Sequence, residues 1–367
     1  MSSKRKAITA SRVATDAEAL ILAITEQAAL WRDPAFPDRA EAVDRTLALD
    51  NTFTEEAIAF AVNQQVALAT SDGLRAWLKG RRTPRAMDIA VLNPGNVPFV
   101  EFQDVLAVVL TGHRYLGALS SRSPHLLPAF MAGVASRVEG LPVQFVPFDS
   151  AARMAKSVIA SGHGDTLEQI EAVCEGKGIG PACRLLRGHR FGVGILDGRE
   201  TEDELEAMAE DALLHEGRGC RNVAVIWAPA GSPPDAMLAA FAAFRGVFPA
   251  HHKTPTSLKM RQAMLQALGM PHAYGEDLSF LLSKGEPEAQ EPGHIRWTEY
   301  TRLEEVETWL EARRDDLQIV SMTERLGPRL QTHVARCQPG DAQRPPLDWR
   351  PDAIDTIDFL VRCGERV

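Results

Sequence analysis

Apolar positions recur at helical spacing between about residues 12 and 80, with charged faces between them. Examples are Asp16-Ala17-Glu18-Ala19-Leu20-Ile21-Leu22-Ala23-Ile24 and Thr54-Glu55-Glu56-Ala57-Ile58-Ala59-Phe60-Ala61. The pattern predicts a helical N-terminal region in which Thr54 serves as an N-cap. Beyond it the period changes. Short apolar runs at 89–92, 115–119, 143–147, 157–160 and 191–196 alternate with helical stretches, as expected for a largely parallel sheet covered by helices. A second unit starts near Asp197 with an acidic helix at 200–206, followed by a glycine-rich loop and a strand at 223–227. Helices at 235–244, 257–268 and 303–313 and a strand at 295–300 follow, and residues 283–293 read as loop or linker. The implied division is 1–85 helical, 86–196 and 197–330 as two α/β units, and 331–367 as a C-terminal segment.

Composition narrows the classes of function. A chain of 367 residues suits two packed domains, and 45% apolar with 24% charged residues describes an ordinary globular protein. The net charge of −9 argues against nucleic acid or an anionic membrane surface as partner. A polyanionic small molecule would therefore need local positive charge. Five cysteines without a CxxC pair point to a reducing cytoplasm rather than a disulfide framework, and no zinc-binding pattern is present. Met1-Ser2-Ser3-Lys4-Arg5-Lys6 is basic but lacks the apolar core of a secretory signal, so a disordered lead-in and no export are expected. The apolar run at 97–110 is too short for a membrane span and is interrupted by Glu101, Gln103 and Asp104.

Candidate chemistry centres on Gly217-Arg218-Gly219-Cys220-Arg221-Asn222-Val223. Glycines allow a ligand to approach, and two arginines favour thiolate, the form that attacks carbonyl carbon. A small buried hydrophobe is the other reading of a lone cysteine. Upstream, the apolar strand at 89–92 ends in Asn93-Pro94-Gly95-Asn96, a turn able either to aim an amide at a ligand or simply to hold itself. A helix and a strand ending in Ser120-Ser121-Arg122 complete a unit that reads as nucleotide-binding βαβ. Ser161-Gly162-His163-Gly164 follows the strand at 157–160 and opens a helix, where backbone N–H groups suit a pyrophosphate; a plain turn is the alternative. A solvated His163 is expected rather than a catalytic one.

Gly95-Asn96-Val97-Pro98, Leu110-Thr111-Gly112-His113 and Leu119-Ser120-Ser121-Arg122-Ser123 together resemble the LuxC-type acyl-CoA reductases, the fatty-acid reductase branch of the aldehyde dehydrogenase superfamily. Gly219-Cys220-Arg221-Asn222-Val223 is similar to the same family. So is the closing stretch Gly340-Asp341-Ala342-Gln343-Arg344-Pro345-Pro346-Leu347 with Asp355-Thr356-Ile357-Asp358-Phe359-Leu360. The matches keep the family's order between about residues 50 and 360. The resemblance implies an aldehyde dehydrogenase-like α/β fold with a Rossmann-type cofactor domain and an α/β catalytic domain.

It further implies reduction of an acyl thioester, acyl-CoA or acyl carrier protein, to an aldehyde, with Cys220 as nucleophile and Asn96 as oxyanion donor. Asn93, Pro94, Gly95, Ser120, Ser121, Arg122, Ser161, Gly162, His163 and Gly164 would hold the cofactor. NADPH is the first expectation, on the resemblance and on Arg114 and Arg122, with NADH second. A homo-oligomer and an acyl-transferring partner subunit are the implied assemblies. Two positions depart from the family. Ala118 stands where a ribose-binding lysine is usual, and residues 183–189 carry no carboxylate to activate water. A non-reductive acyltransferase or acyl-enzyme partner subunit, and a degenerate scaffold of the same fold, remain the alternative functions.

Overall fold

The computed structural model describes residues 16–365, so the basic N-terminal stretch lies outside the described residues. Four helices open the chain: α1 (Ala17–Leu30), α2 (Pro37–Leu47), α3 (Glu55–Leu68) and α4 (Ser71–Leu78). Asp16, Thr54 and Thr70 cap three of them with side-chain oxygens that accept first-turn N–H groups. Their apolar faces bury Trp31, which stacks on Phe99 at 5.8 Å and meets Phe130 edge-on at 5.2 Å.

Those aromatics belong to the layer over the first sheet. Five parallel strands, β1 (Asp88–Leu92), β2 (Arg114–Ala118), β3 (Val143–Phe145), β4 (Ser157–Ser161) and β5 (Arg184–Arg187), lie in the order β3-β2-β1-β4-β5. The connections are α5 (Phe102–Leu110), α6 (Leu126–Ala135), α7 (Phe148–Met154) and α8 (Gly164–Gly176). The apolar run at 97–110 is explained here: every residue from Val105 to Leu110 is buried, because α5 is enclosed between the sheet and the N-terminal helices. The chain leaves β1 for β2 on one side and returns to β4 on the other. Ligands bind such sheets outside the carboxyl ends of the strands, where the direction switches.

The second sheet has seven strands in the order β12-β11-β6-β7-β10-β9-β8. They are β6 (Phe191–Ile195), β7 (Val223–Pro229), β8 (His272–Tyr274), β9 (Leu281–Lys284), β10 (His294–Tyr300), β11 (Leu317–Met322) and β12 (Arg336–Cys337). Its helices are α9 (Glu202–Leu213), α10 (Asp235–Val247), α11 (Thr254–Ala267) and α12 (Leu303–Ala312). Only β8 runs antiparallel to its neighbour.

The strand read at 191–196 pairs with β7 and β11, so the chain changes sheet within Gly188-His189-Arg190, ahead of the division at 196 drawn from the sequence. Close approach explains the pairing. A Cβ on Gly192 would lie 2.6 Å from Arg221 O, and one on Gly194 2.7 Å from Met208 Sδ. The last helix, α13 (Thr356–Glu365), returns to the first unit. Leu360 O bonds to His113 Nε2 at 3.0 Å, and Arg187 joins Asp104 of α5 to Thr356. No helix among the described residues is long and apolar enough to cross a membrane.

Glu101, next to α5, is 1% exposed, and its carboxyl oxygens have no hydrogen-bond partner among the described residues. Burial, reinforced by Asp104, pushes its pKa from 4.5 up to about 8. A pKa raised in the folded state gives stability that is fully present below the unfolded value and lost as pH rises through the folded one. Between pH 6 and 9 the wild type is expected to lose roughly 2 kcal/mol more than Glu101→Gln. Urea unfolding at the two pH values checks this, and parallel curves for the two proteins would refute it.

Candidate active site

The loop bearing Cys220 is built from α9 onward. A reciprocal cap fixes the start of that helix, with Thr201 Oγ1 accepting from Glu204 N and Glu204 Oε2 from Thr201 N. At its end the chain turns back sharply through His215 (φ 56°) and Glu216 (φ 58°), two non-glycine residues in the left-handed region. Each conformation costs about 1 kcal/mol or more and persists only where the surroundings impose it. The Glu216 carboxylate is held by Arg245 Nη1 at 2.9 Å and by the Thr254 hydroxyl. It is therefore committed to structure.

Gly219 to Asn222 forms a tight turn, closed by Asn222 N donating to Gly219 O at 3.0 Å. The Asn222 side chain locks it. Its Oδ1 accepts from Gly219 N at 2.7 Å, and its Nδ2 donates to Asp211 O and Leu214 O, each at 2.9 Å. Cys220 thus sits half-buried at the apex, and no hydrogen bond within the described residues uses its N–H.

Charge around this turn is positive. Arg221 donates Nε to Ala342 O at 2.7 Å and lies 6.0 Å above the Trp349 ring. Burial lowers its pKa, opposed by Cys220, Cys337 and Asp211. Arg218 is lowered by burial and then by Arg122. Burial and the neighbouring Arg221 bring His215 to about 3, which leaves its imidazole neutral. Asp211, pushed to about 7 by burial, accepts from Gly340 N, Ala342 N and Ser321 Oγ. Cys174 and Cys363 are buried, and burial raises the Cys337 thiol far above the ordinary range.

The amide turn comes from the first sheet. Asn93 lies under the turn, donating its N–H to Ala118 O at 3.0 Å and accepting Tyr115 Oη on Oδ1 at 2.9 Å, while its Nδ2 is buried without a partner among the described residues. Gly95 is tightly packed: a Cβ would lie 2.0 Å from Ser120 Oγ and 3.2 Å from Arg122 Cβ. Asn96 reaches across to the cysteine loop, with Nδ2 donating to Arg218 O at 2.8 Å. One of its two amide hydrogens is used there, and one is left for another acceptor.

The cofactor candidates occupy the carboxyl ends of β1, β2 and β4. Gly162 N donates to Arg187 O at 3.1 Å, and α8 begins at Gly164 with His163 as an N-cap whose side chain makes no cap bond. The His163 ring lies 5.3 Å from that of His189. First-turn N–H groups, the Ser120-Ser121-Arg122 loop and the orphaned Asn93 amide together fit a dinucleotide around the switch point. Arg114 does not join them. It pairs with Asp88 at the amino ends of β1 and β2, the opposite edge of the sheet. Among the described residues no cluster of three or more His, Cys, Asp or Glu could hold a metal ion.

No family model matches the chain, and no curated protein matches it. Solved structures do. A NAD-dependent benzaldehyde dehydrogenase from Corynebacterium glutamicum is similar at 14% identity, covering 90% of this chain and 84% of its own, with a TM-score of 0.66. Aldehyde dehydrogenase 21 from Physcomitrella patens, in complex with the product succinate, matches at 12% over 96% and 85%, TM-score 0.64. A succinic semialdehyde dehydrogenase from Streptococcus pyogenes, complexed with NADP+, matches at 13% over 87% and 81%, TM-score 0.63. The chain has the aldehyde dehydrogenase-like fold.

Sequence reasoning missed Asn222 and Asp211, the residues that hold the cysteine turn. The available signal was an asparagine closing a glycine turn just before a strand. Asn222→Ala strips the Gly219 N–H of its acceptor and takes a donor from each of the Asp211 and Leu214 carbonyls. It is expected to cost on the order of 2–4 kcal/mol. Urea unfolding measures it, and a loss under about 0.5 kcal/mol, the size of an ordinary surface change, would show that other contacts hold the turn.

Proposed function

We propose that this chain is an aldehyde dehydrogenase-type oxidoreductase, and that it works in the reductive direction, converting an acyl thioester to an aldehyde. The observation that carries the reading is the meeting of two turns from different sheets: the Asn96 amide lies against the loop that presents Cys220. Attack of a Cys220 thiolate on a thioester carbon breaks the bond to the donor sulfur, and the donor leaves as a thiolate that takes a proton from solvent. The tetrahedral oxyanion between those steps needs fixed donors. The second Asn96 hydrogen and the Cys220 N–H supply them, stabilising the transition state more than the ground state.

A reduced nicotinamide, NADPH ahead of NADH, would supply hydride to the acyl carbon when bound. The cofactor loops at the ends of β1, β2 and β4 would hold it. On the Cys220 side, the resulting hemithioacetal oxyanion would be released as aldehyde with return of the Cys220 thiolate. Solved structures of similar fold bound to NAD+ or NADP+ support a nicotinamide cofactor. The reductive direction rests on a missing base: β5 carries Arg184, Leu185, Leu186 and Arg187, and Glu216 is tied to Arg245. With no carboxylate on β5 to activate water and Glu216 held, the acyl-enzyme survives until hydride arrives.

Consumption of reduced nicotinamide, followed at its absorbance band with a panel of acyl-CoA esters, tests the reading. Aldehyde formation with NADPH is expected, and hydrolysis of the ester with no loss of reduced cofactor would favour a non-reductive acyl transferase. Asn96→Ala should lower kcat by roughly 10²–10³-fold and change KM much less. A near-normal kcat would reduce Asn96 to a turn residue.

A further inference from the structure

A chain of net charge −9 can receive a phosphate-bearing donor only where positive charge is gathered locally. Such a place exists beside the cysteine turn. Arg122 and Arg218 come from loops of different sheets, yet both flank the Pro94-Gly95-Asn96 turn. Gly95 packs on Arg122 Cβ, and Asn96 donates to Arg218 O. A third cation closes the group. Asn51 Nδ2 donates to Arg122 O at 3.2 Å, and Asn51 O accepts from Lys253 Nζ at 3.0 Å. His251 Nδ1, on the same turn as Lys253, accepts the Lys253 N–H at 3.3 Å.

Each nearby carboxylate is held by a cation other than Arg122 and Arg218, and in the case of Asp50 by Lys253 of this same group. Asp50 is bound by Lys253, and Glu216 by Arg245 and Thr254. Neither the Arg122 nor the Arg218 guanidinium forms an ion pair or hydrogen bond among the described residues, and Arg218 Nε is buried with no partner. Two guanidinium groups without ion pairs, held near one another, repel, and the charge of Glu216 works against this at Arg218. Burial and Arg122 both lower the pKa of Arg218, and Arg218 is among the charges lowering that of His251. An anion with several oxygens would relieve this, since the planar guanidinium fork matches a phosphate. Arg218 precedes Cys220 by two residues, on the loop that presents the thiol.

We propose that Arg122, Arg218 and the Lys253 turn form a docking site for the phosphate of the thioester donor, the phosphate that coenzyme A and a phosphopantetheine-bearing carrier share. The site rests on the acyl-thioester reading above and adds to it the recognition of the leaving group. It makes the donor's phosphate, as well as the acyl group, part of what Cys220 selects.

The test measures acylation of Cys220 by intact mass, without reduced cofactor, using one acyl group on four donors: coenzyme A, 4′-phosphopantetheine, acyl carrier protein and the phosphate-free thiol N-acetylcysteamine. At low donor concentration the phosphate-bearing donors should acylate wild type about 10-fold faster or more than the phosphate-free one, the value of one or two charged hydrogen bonds. In Arg218→Gln and in Arg122→Gln that ratio should fall toward one. Titration calorimetry with free coenzyme A gives a readout independent of turnover: Arg218→Gln should raise Kd by about 10-fold. Dephospho-coenzyme A, which keeps the pantetheine phosphate, should bind wild type as coenzyme A does.

Equal acylation by all four donors, or a ratio that survives both substitutions, would overturn the anion site and leave the acyl-thioester reading standing. Loss of affinity for dephospho-coenzyme A alone would move recognition to the 3′-phosphate and overturn the assignment. An Arg218→Gln protein that loses NADPH affinity as much as coenzyme A affinity would assign the site to the dinucleotide. No adduct from any donor would defeat the acyl-thioester reading, and the coenzyme A titration would still decide whether the anion site exists.

Discussion

The buried carboxylate of Asp211 ties together the parts of the chain on which the candidate site depends. Its oxygens accept two backbone N–H groups from Gly340 and Ala342 and the hydroxyl of Ser321 on β11. Its own carbonyl accepts from Asn222 and Gln343. Removing this carboxylate would leave several donors without acceptors inside the protein, each at a cost of about 1–3 kcal/mol, about a tenth or more of ordinary domain stability. The Cys220 turn, the edge of the second sheet and the C-terminal loop are held as one piece.

Around that piece the charges are arranged to leave cations free. Glu216, which could have neutralised Arg218, is drawn to Arg245, and Asp50 is drawn to Lys253. Arg221 turns to a carbonyl and an indole face, neither of which cancels its charge. The strained turn at His215 and Glu216 stands directly before this loop, and the Glu216 carboxylate it presents is held by Arg245 and Thr254. Local geometry thus decides the electrostatics near the thiol in a chain whose overall charge is negative.

Much of the fold could be read from pattern alone. The capping by Thr54, the enclosed α5 and the strands at 89–92, 115–119 and 157–160 follow from periods and turn residues that act over a few positions. The change of sheet after β5 could not be read in this way, since Phe191–Ile195 is as apolar as its predecessors and only its glycines, packed against Arg221 and Met208, record which core it joins. Site residues divide likewise. Cys220, Asn96 and the glycines of the β4 loop announce themselves by turn chemistry. Asp211 is set by partners more than a hundred residues away, and the unpaired state of Arg122 and Arg218 by loops that meet from different sheets, whereas Asn222 bonds within eleven residues; Arg114, directly before the strand at 115–119, lies at its amino end, opposite the edge where ligands bind.

Whether Cys220 is the nucleophile is settled by peptide mass spectrometry of the protein after incubation with an acyl-CoA and no reduced cofactor, followed by addition of NADPH. An acyl adduct is expected on Cys220 and none on Cys174, Cys183, Cys337 or Cys363, with discharge of the adduct as aldehyde when NADPH is added and neither an adduct at that peptide nor turnover in Cys220→Ala. Turnover by Cys220→Ala, or an adduct confined to another cysteine, would contradict that role of Cys220.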